Sequence, residues 1–313
     1  MAVFAEKVTE PELKTNPNLK FHRRMAYTCT AIVAIDYAGC KITSIHTHVG
    51  GSVIALILVL AMIFPLPVYW HEKHRIDFRE SALVLPWEAL LAIILTYTVL
   101  IAARARMPLQ DPVYGRFDQS LGISVPAIVA WSHRHLIGRV ITWTYPLLIP
   151  LLGVSAFAPQ LLGKVKYARE FLIGNLAAFA IGVPLFALVP AIGPWHYFHT
   201  VPAPPQALCE AQLLALRLPG PFFSYLKEAG GLVCFPSFHV IWAILCADAL
   251  WGFRPLRIPV MLLAALIIAS TLTTGWHYFA DVMAGLIIVG LSLAFAKFCT
   301  RNLDPGFMSK GNG

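Results

Sequence analysis

The sequence predicts an all-α fold, a polytopic bundle of helices in a membrane. Of its 313 residues 58% are hydrophobic and 13% charged, with a mean hydropathy of +0.69. Soluble domains usually carry about 25% charged residues, so this composition excludes an ordinary soluble domain. The chain also contains apolar runs of the ~20 residues that a helix needs to cross the hydrocarbon layer. Lys and Arg are concentrated in alternate connecting segments, as expected when successive helices cross in opposite directions.

Eight membrane spans are predicted from these apolar runs. They lie at residues 26–45, 52–70, 82–103, 136–158, 171–193, 235–253, 258–276 and 278–299. The first is the least apolar because Asp36 and Lys41 interrupt it. The segment from Arg104 to Arg139 alternates polar and apolar positions, as an interfacial helix on the outer membrane surface would.

Charge gives the expected orientation of these spans. With the N-terminus inside, the inner segments hold 16 of the 24 Lys and Arg residues. Basic residues favour the cytoplasmic side, so we expect the tail at residues 1–25 and the tail at residues 301–313 to be cytoplasmic. His239 and His277 then face the periplasm or an organelle lumen. The net charge of +8 follows from this topology and requires no nucleic-acid partner.

The functional residues are expected between Cys234 and Asp281. Two apolar helices joined by a short turn run antiparallel, so His239, at the start of the first, should approach His277, after the second. His277 and Asp281 are spaced i, i+4 and share a face of a helix. A carboxylate that orients an imidazole prepares it to act as a nucleophile or a general base.

The motifs in this stretch resemble those of the type 2 phosphatidic acid phosphatase superfamily. The second family motif is read at Pro236-Ser237-Phe238-His239, and the third at Ser270, His277 and Asp281. Phe238 stands where Gly is usual, and Thr271 where Arg is usual. At both positions this sequence resembles the inositol-phosphorylceramide-synthase branch of the superfamily. The resemblance covers residues 82–299.

The resemblance implies a six-helix phosphatase core, the catalytic membrane domain at residues 81–300, preceded by two additional N-terminal transmembrane helices at residues 26–80. It implies that His277 attacks phosphorus to give a phosphohistidine, that Asp281 orients it and that His239 is the general acid. Ser237 would donate a hydrogen bond to a phosphoryl oxygen. The implied substrate is a lipid phosphate or phosphodiester among the membrane lipids, with water or a polyol as acceptor. Neither a metal ion nor another cofactor is implied.

One family motif, Lys-x6-Arg-Pro, is missing after the fifth span. Residues 193–199 read Gly-Pro-Trp-His-Tyr-Phe-His and contain no Lys or Arg. Phosphoryl transfer requires positive charge around the phosphoryl oxygens. We therefore expect substitutes from elsewhere, chiefly Arg139, then Arg134 and His196. Arg139 is favoured because a charge at the start of a span should face the bundle.

Two other classes of function remain open at this stage. His239, His277 and Asp281 could form a facial triad for iron or zinc in a metal-dependent membrane enzyme. The same side chains could relay protons in a proton-coupled transporter. Cys209 and Cys234 both fall in the outer loop and could form a disulfide in an oxidising compartment.

Overall fold

The computed structural model describes residues 17–48, 84–225 and 231–303. Within these ranges nearly all regular structure is helical, which confirms the predicted all-α class. The helices are α1 (Pro17–Thr43), α2 (Leu85–Ala103), α3 (Asp111–Ser120), α4 (Val125–Arg134), α5 (Leu136–Trp143), α6 (Leu148–Leu161), α7 (Val165–Leu188), α8 (Pro194–Tyr197), α9 (Pro204–Leu216), α10 (Phe238–Ala249), α11 (Arg257–Thr273) and α12 (Phe279–Leu303). Two short parallel strands, β1 (Ile45–His48) and β2 (Phe222–Tyr225), were not predicted.

Five helical segments of the described chain are long and apolar enough to cross a membrane. They are Leu85–Ala103, Leu136–Leu161, Val165–Leu188, Arg254–Thr273 and Phe279–Asn302. Each corresponds to a predicted span, although the third begins at Val165 rather than at residue 171. These segments make the chain a multi-pass membrane protein.

The remaining predicted spans have different outcomes. The span at 235–253 is too long, because α10 has only 12 residues and is preceded by the loop that contains Pro236 and Ser237. The first span corresponds to α1, which is not among the five long apolar segments. The span at 52–70 lies outside the described residues.

The core is built around α7, which packs against α2, α10 and α12. Phe186, Leu172 and Ala178 of α7 are fully buried among apolar side chains of these neighbours. At one end of the bundle α12 approaches the loop before α10. A Cβ on Gly285 would lie 2.8 Å from the carbonyl oxygen of Ser237, so only glycine permits this approach. The close contact brings the start of α12 beside the start of α10.

The α10–α11 hairpin is antiparallel, as predicted. A 3₁₀ turn at Arg254–Leu256 reverses the chain between the two helices. After α11 the chain turns at Gly275, which has a φ of +73°, and enters α12 at Phe279. The N-termini of α10 and α12 and the C-terminus of α11 therefore meet at one end of the bundle.

The segment from Arg104 to Arg139 is not a single interfacial helix. It contains α3 and α4, and the chain turns between them at Gly122, where φ is +73°. A second break at His135 precedes α5. The Ser132 hydroxyl of α4 donates a 3.1 Å hydrogen bond to the carbonyl oxygen of Thr273, so α4 covers the C-terminus of α11.

Candidate active site

His277 lies between α11 and α12, and its hydrogen bonds define which ring nitrogen is free. The side chain is buried, with Nδ1 2.9 Å from the carbonyl oxygen of Cys234 and 3.3 Å from Oδ2 of Asp281. A carbonyl oxygen can only accept, so the neutral ring carries its proton on Nδ1. The lone pair is consequently on Nε2, where it is available to attack an electrophile.

Burial keeps this imidazole uncharged. It lowers the pKa of His277 to about 4, although the hydrogen bond to the Cys234 carbonyl opposes part of this effect. Desolvation disfavours the charged form of a histidine, which accounts for the direction. At neutral pH the lone pair on Nε2 is therefore not lost to protonation.

Asp281 uses its two carboxylate oxygens differently. Oδ2 accepts the backbone N–H of Tyr278 at 2.8 Å and the thiol of Cys234 at 3.2 Å, in addition to its contact with His277. Oδ1 is fully buried and has no hydrogen-bond partner among the described residues. The carboxylate is thus held firmly through one oxygen and has unused accepting capacity on the other.

His239, in the first turn of α10, faces His277 as the helical hairpin predicted. The ring centroids are 5.8 Å apart. The Tyr145 ring stacks on His239 at a centroid distance of 4.2 Å, and its hydroxyl lies 3.5 Å from Nδ1. The Trp276 ring is parallel to that of Tyr145, with their centroids 6.2 Å apart. These aromatic contacts fix the plane of the His239 ring, and nothing in the sequence indicated them.

Ser237 precedes α10 at its N-cap position, yet its hydroxyl does not cap the helix. The side chain is fully buried, and Oγ has no hydrogen-bond partner among the described residues. The backbone N–H of Ser237 donates to the carbonyl oxygen of Asp281 at 3.2 Å, which ties Ser237 to this group. Buried hydroxyls are usually satisfied, so an unused one here indicates a place for a ligand oxygen. The structure therefore brings together Ser237, His239, His277 and Asp281.

Sequence reasoning missed two carboxylates of α3 that hold this loop from the other side. Asp118 accepts the backbone N–H groups of Phe279, at 2.8 Å, and Ala280, at 3.1 Å. Burial raises the pKa of Asp118, and these two backbone hydrogen bonds oppose the shift. Asp118 thus acts as a cap for α12, where the helix dipole also favours a carboxylate.

Asp111 has a related role two helical turns earlier on α3. It accepts the backbone N–H groups of Ile192 and Gly193, at 3.0 and 2.9 Å, and the Tyr278 hydroxyl at 3.0 Å. Asp111 and Asp118 are spaced i, i+7, so they share a face of the helix. That spacing is the signal that could have indicated their common role.

The structure does not join the predicted cations to this group. Arg134 and Arg139 are exposed, and their guanidinium groups make no hydrogen bond to any residue that the structure describes. His196 is paired with Glu210 at 2.9 Å. The Thr271 hydroxyl donates to the Ile268 carbonyl at 2.7 Å. The phosphate-binding roles of Arg134, Arg139 and His196 remain predictions.

The cysteine pair considered from the sequence does not form. No disulfide bond joins Cys209 to Cys234. The sulfur of Cys234 is directed at Asp281, as described above, because the loop before α10 packs against the start of α12.

Comparison with known proteins assigns the family. A family model described as PAP2 superfamily matches residues 115–295, which is more than half of the chain and includes all four grouped residues. No curated protein and no solved structure matches the chain. The members of this superfamily are phosphatases, and the five apolar segments fit a membrane phosphatase. The chain therefore belongs to the PAP2 superfamily and is a multi-pass membrane protein of the phosphatase type.

Proposed function

We propose that this protein transfers the phosphoryl-containing group of a lipid phosphate or phosphodiester through a phosphohistidine at His277. The observation that carries the proposal is the pair of hydrogen bonds at Nδ1, which leave the Nε2 lone pair free in a neutral ring. The proposal extends to the inositol-phosphorylceramide-synthase-like branch, because Phe238 and Thr271 replace the usual Gly and Arg.

The first half of the reaction forms the covalent intermediate. The Nε2 lone pair of His277 attacks phosphorus, and the bond from phosphorus to the leaving oxygen breaks. Burial lowers the pKa of His239 to about 3 in the free protein. The negative charge of the bound phosphoryl group raises that pKa again, so His239 takes up a proton and donates it to the leaving oxygen, which departs as an alcohol. Asp281 stabilises the positive charge that the ring of His277 acquires on forming the P–N bond.

The second half returns the enzyme to its starting state. His239, now neutral, removes a proton from water or from an alcohol, and that oxygen attacks phosphorus while the P–N bond breaks. Water gives a phosphatase, and a polyol such as inositol gives a phosphotransferase. Both outcomes use the same residues, so the acceptor depends on what the site admits.

The charge on the phosphoryl oxygens requires donors. Ser237 offers its unused hydroxyl, and the N-terminus of α10 supplies the positive end of a helix dipole. We propose Arg139 as the principal cation, with Arg134 and His196 as further contributors. Electrostatic stabilisation of this kind is usually the largest contribution to phosphoryl transfer.

The decisive experiment follows the products. Purified full-length protein is incubated with radiolabelled lipid phosphates and phosphodiesters, with and without inositol, and the products are separated. We expect release of a dephosphorylated lipid or formation of an inositol phospholipid. Acid-labile, alkali-stable label on the protein should disappear in His277→Ala. Turnover without any such label would contradict the covalent mechanism.

A metal-dependent reaction is the second candidate. The group of potential ligands is not the predicted triad, because Cys234 takes the place of His239: the ligand atoms of Cys234, His277 and Asp281 lie within 4.8 Å of one another. The two candidates differ in their response to inhibitors. The phosphohistidine mechanism predicts full activity in EDTA and inhibition by vanadate, which mimics five-coordinate phosphorus. Loss of activity in EDTA that zinc or iron restores would favour the metal-dependent reaction.

We also propose that the site faces the periplasm or an organelle lumen. The 16 to 8 division of Lys and Arg between the two sides supports this orientation. An alkaline phosphatase fused after Gly313 should be inactive, since the C-terminal tail would be cytoplasmic. High activity of that fusion would reverse the assignment.

A further inference from the structure

The thiol of Cys234 lies against the His277–Asp281 pair and has no part in the proposed reaction. Its sulfur is 3.2 Å from Oδ2 of Asp281, and Nδ1 of His277 is 3.3 Å from the same oxygen. All three side chains are buried, and their ligand atoms lie within 4.8 Å of one another. A thiol, an imidazole and a carboxylate therefore converge here.

These separations are close to those of a tetrahedral zinc site. Zinc binds sulfur at about 2.3 Å and nitrogen or oxygen at about 2.0–2.2 Å, so tetrahedral angles place nitrogen and oxygen ligand atoms about 3.3–3.6 Å apart and sulfur about 3.5–3.7 Å from either. The 3.3 Å between Nδ1 and Oδ2 fits, and Sγ, now 3.2 Å from Oδ2, needs to move away by a few tenths of an ångström. Asp281 has a further buried oxygen, Oδ1, without a partner among the described residues, which is available for coordination. Small side-chain movements therefore suffice to bind the ion.

We propose that Cys234, His277 and Asp281 form an inhibitory site for a soft divalent metal ion such as Zn²⁺. The Cys234 thiol loses its proton to water and binds as a thiolate, and Asp281 binds through a carboxylate oxygen. Zinc takes the lone pair of Nδ1, and the proton that Nδ1 carried moves to Nε2. One proton is released, and no electron is transferred.

The consequence for catalysis follows from the tautomer. With zinc on Nδ1 and the proton on Nε2, His277 has no lone pair to attack phosphorus. Inhibition thus rests on the proposed function of His277, whereas metal binding itself does not. Softness favours zinc or cadmium over Mg²⁺, because a thiolate prefers soft ions.

The binding test uses metal-free full-length protein in detergent. Co²⁺ is titrated into the wild type, and the thiolate-to-cobalt charge-transfer band in the near ultraviolet is recorded. We expect one cobalt per chain, displaced by Zn²⁺. Cys234→Ser should lose the band, and the matched control Cys209→Ser should retain it. A wild type without the band, or a band that survives in Cys234→Ser, overturns the site.

The inhibition test compares each protein with its own zinc-free rate. Zn²⁺ should abolish turnover in the wild type and in Cys209→Ser, and Cys234→Ser should need at least ~10-fold more zinc for half inhibition. Equal sensitivity of Cys234→Ser and the wild type overturns the proposal. If Cys234→Ser fails to fold, the wild-type cobalt band and its stoichiometry decide. Cobalt binding with turnover that does not depend on His277 refutes the proposed function alone, and turnover without cobalt binding refutes the metal site alone.

Discussion

Two buried carboxylates lie at the start of α12 and are used in opposite ways. Asp118 reaches it from α3, and each of its oxygens accepts one backbone N–H. Asp281 belongs to α12 itself, and its Oδ2 takes every contact while Oδ1 has no partner among the described residues. Both side chains are completely buried. Equal burial therefore does not mean equal function.

The difference extends to the neighbours of each carboxylate. On the α3 side, Asp111 also accepts two backbone N–H groups and a hydroxyl. On the α10 side, Ser237 has a buried hydroxyl with no partner in the described chain. Satisfied buried groups contribute to stability, whereas unsatisfied ones are costly and are retained where a ligand completes them. We infer that Asp111 and Asp118, the holding side, fix the loop in place. We infer that Ser237, His239, His277 and Asp281, the reactive side, carry out the reaction.

The largest expected effect tests the reactive side. His277→Ala and Asp281→Asn should each lower kcat by at least ~10³-fold, because they remove the proposed nucleophile or the group proposed to orient it. The midpoint of thermal unfolding should change little. His135→Ala is the matched control and should retain activity, since within the described chain this exposed side chain contacts Trp131, through a hydrogen bond to its carbonyl and ring stacking. Near-native turnover of His277→Ala would end the proposed division.

The next effect concerns the missing cation. Arg139→Gln should lower kcat/KM by ~10²-fold, since a guanidinium would neutralise charge on the phosphoryl oxygens in the transition state. Arg134→Gln should have a smaller effect. Arg116 is also exposed but lies on α3, and Arg116→Gln should have no effect. Activity of Arg139→Gln within a few-fold of the wild type would show that Arg139 snorkels to the head groups instead.

The sequence was sufficient to bring His239, His277 and Asp281 together because the constraints that join them are local or topological. The i, i+4 spacing joins His277 to Asp281, and an antiparallel hairpin joins His239 to His277. The α3 side depends on contacts between residues far apart in the chain, such as Asp118 with Phe279. Every residue except proline offers a backbone N–H donor, so residue type does not mark the partners of Asp118, and only the i, i+7 spacing of Asp111 and Asp118 gives a signal. The length of α10 was overestimated for a related reason. Hydropathy does not show where the loop with Pro236 and Ser237 ends and the helix begins.

A third test addresses the holding side. Asp118→Ala leaves the backbone N–H groups of Phe279 and Ala280 without their acceptor, at a cost of about 1–3 kcal/mol in the free energy of unfolding. Asp118→Asn keeps one acceptor and should fall between Asp118→Ala and the wild type. Because Asp118 acts by positioning α12, kcat should fall while KM stays the same. A change in KM with unchanged stability would indicate contact with substrate instead.

The smallest expected effect is that of Tyr278→Phe, which removes one donor from the holding side without changing the reactive side. The Tyr278 hydroxyl donates to Asp111 at 3.0 Å and lies 2.9 Å from the carbonyl oxygen of Gly193. Asp111 would still accept two backbone N–H groups, so its carboxylate stays satisfied and the loss should be about 1 kcal/mol. The backbone N–H of Tyr278 also donates to Asp281, the carboxylate proposed to orient His277, and phenylalanine keeps this hydrogen bond. We therefore expect a slightly lower thermal midpoint and kcat within ~3-fold of the wild type.

Tyr197→Phe is the control, because within the described chain its hydroxyl makes only an exposed hydrogen bond to Gln119. A loss of rate in Tyr278→Phe as large as that of His277→Ala would mean that the hydrogen bonds of α3 take part in the chemistry, and the two carboxylates would then have to be treated as one network.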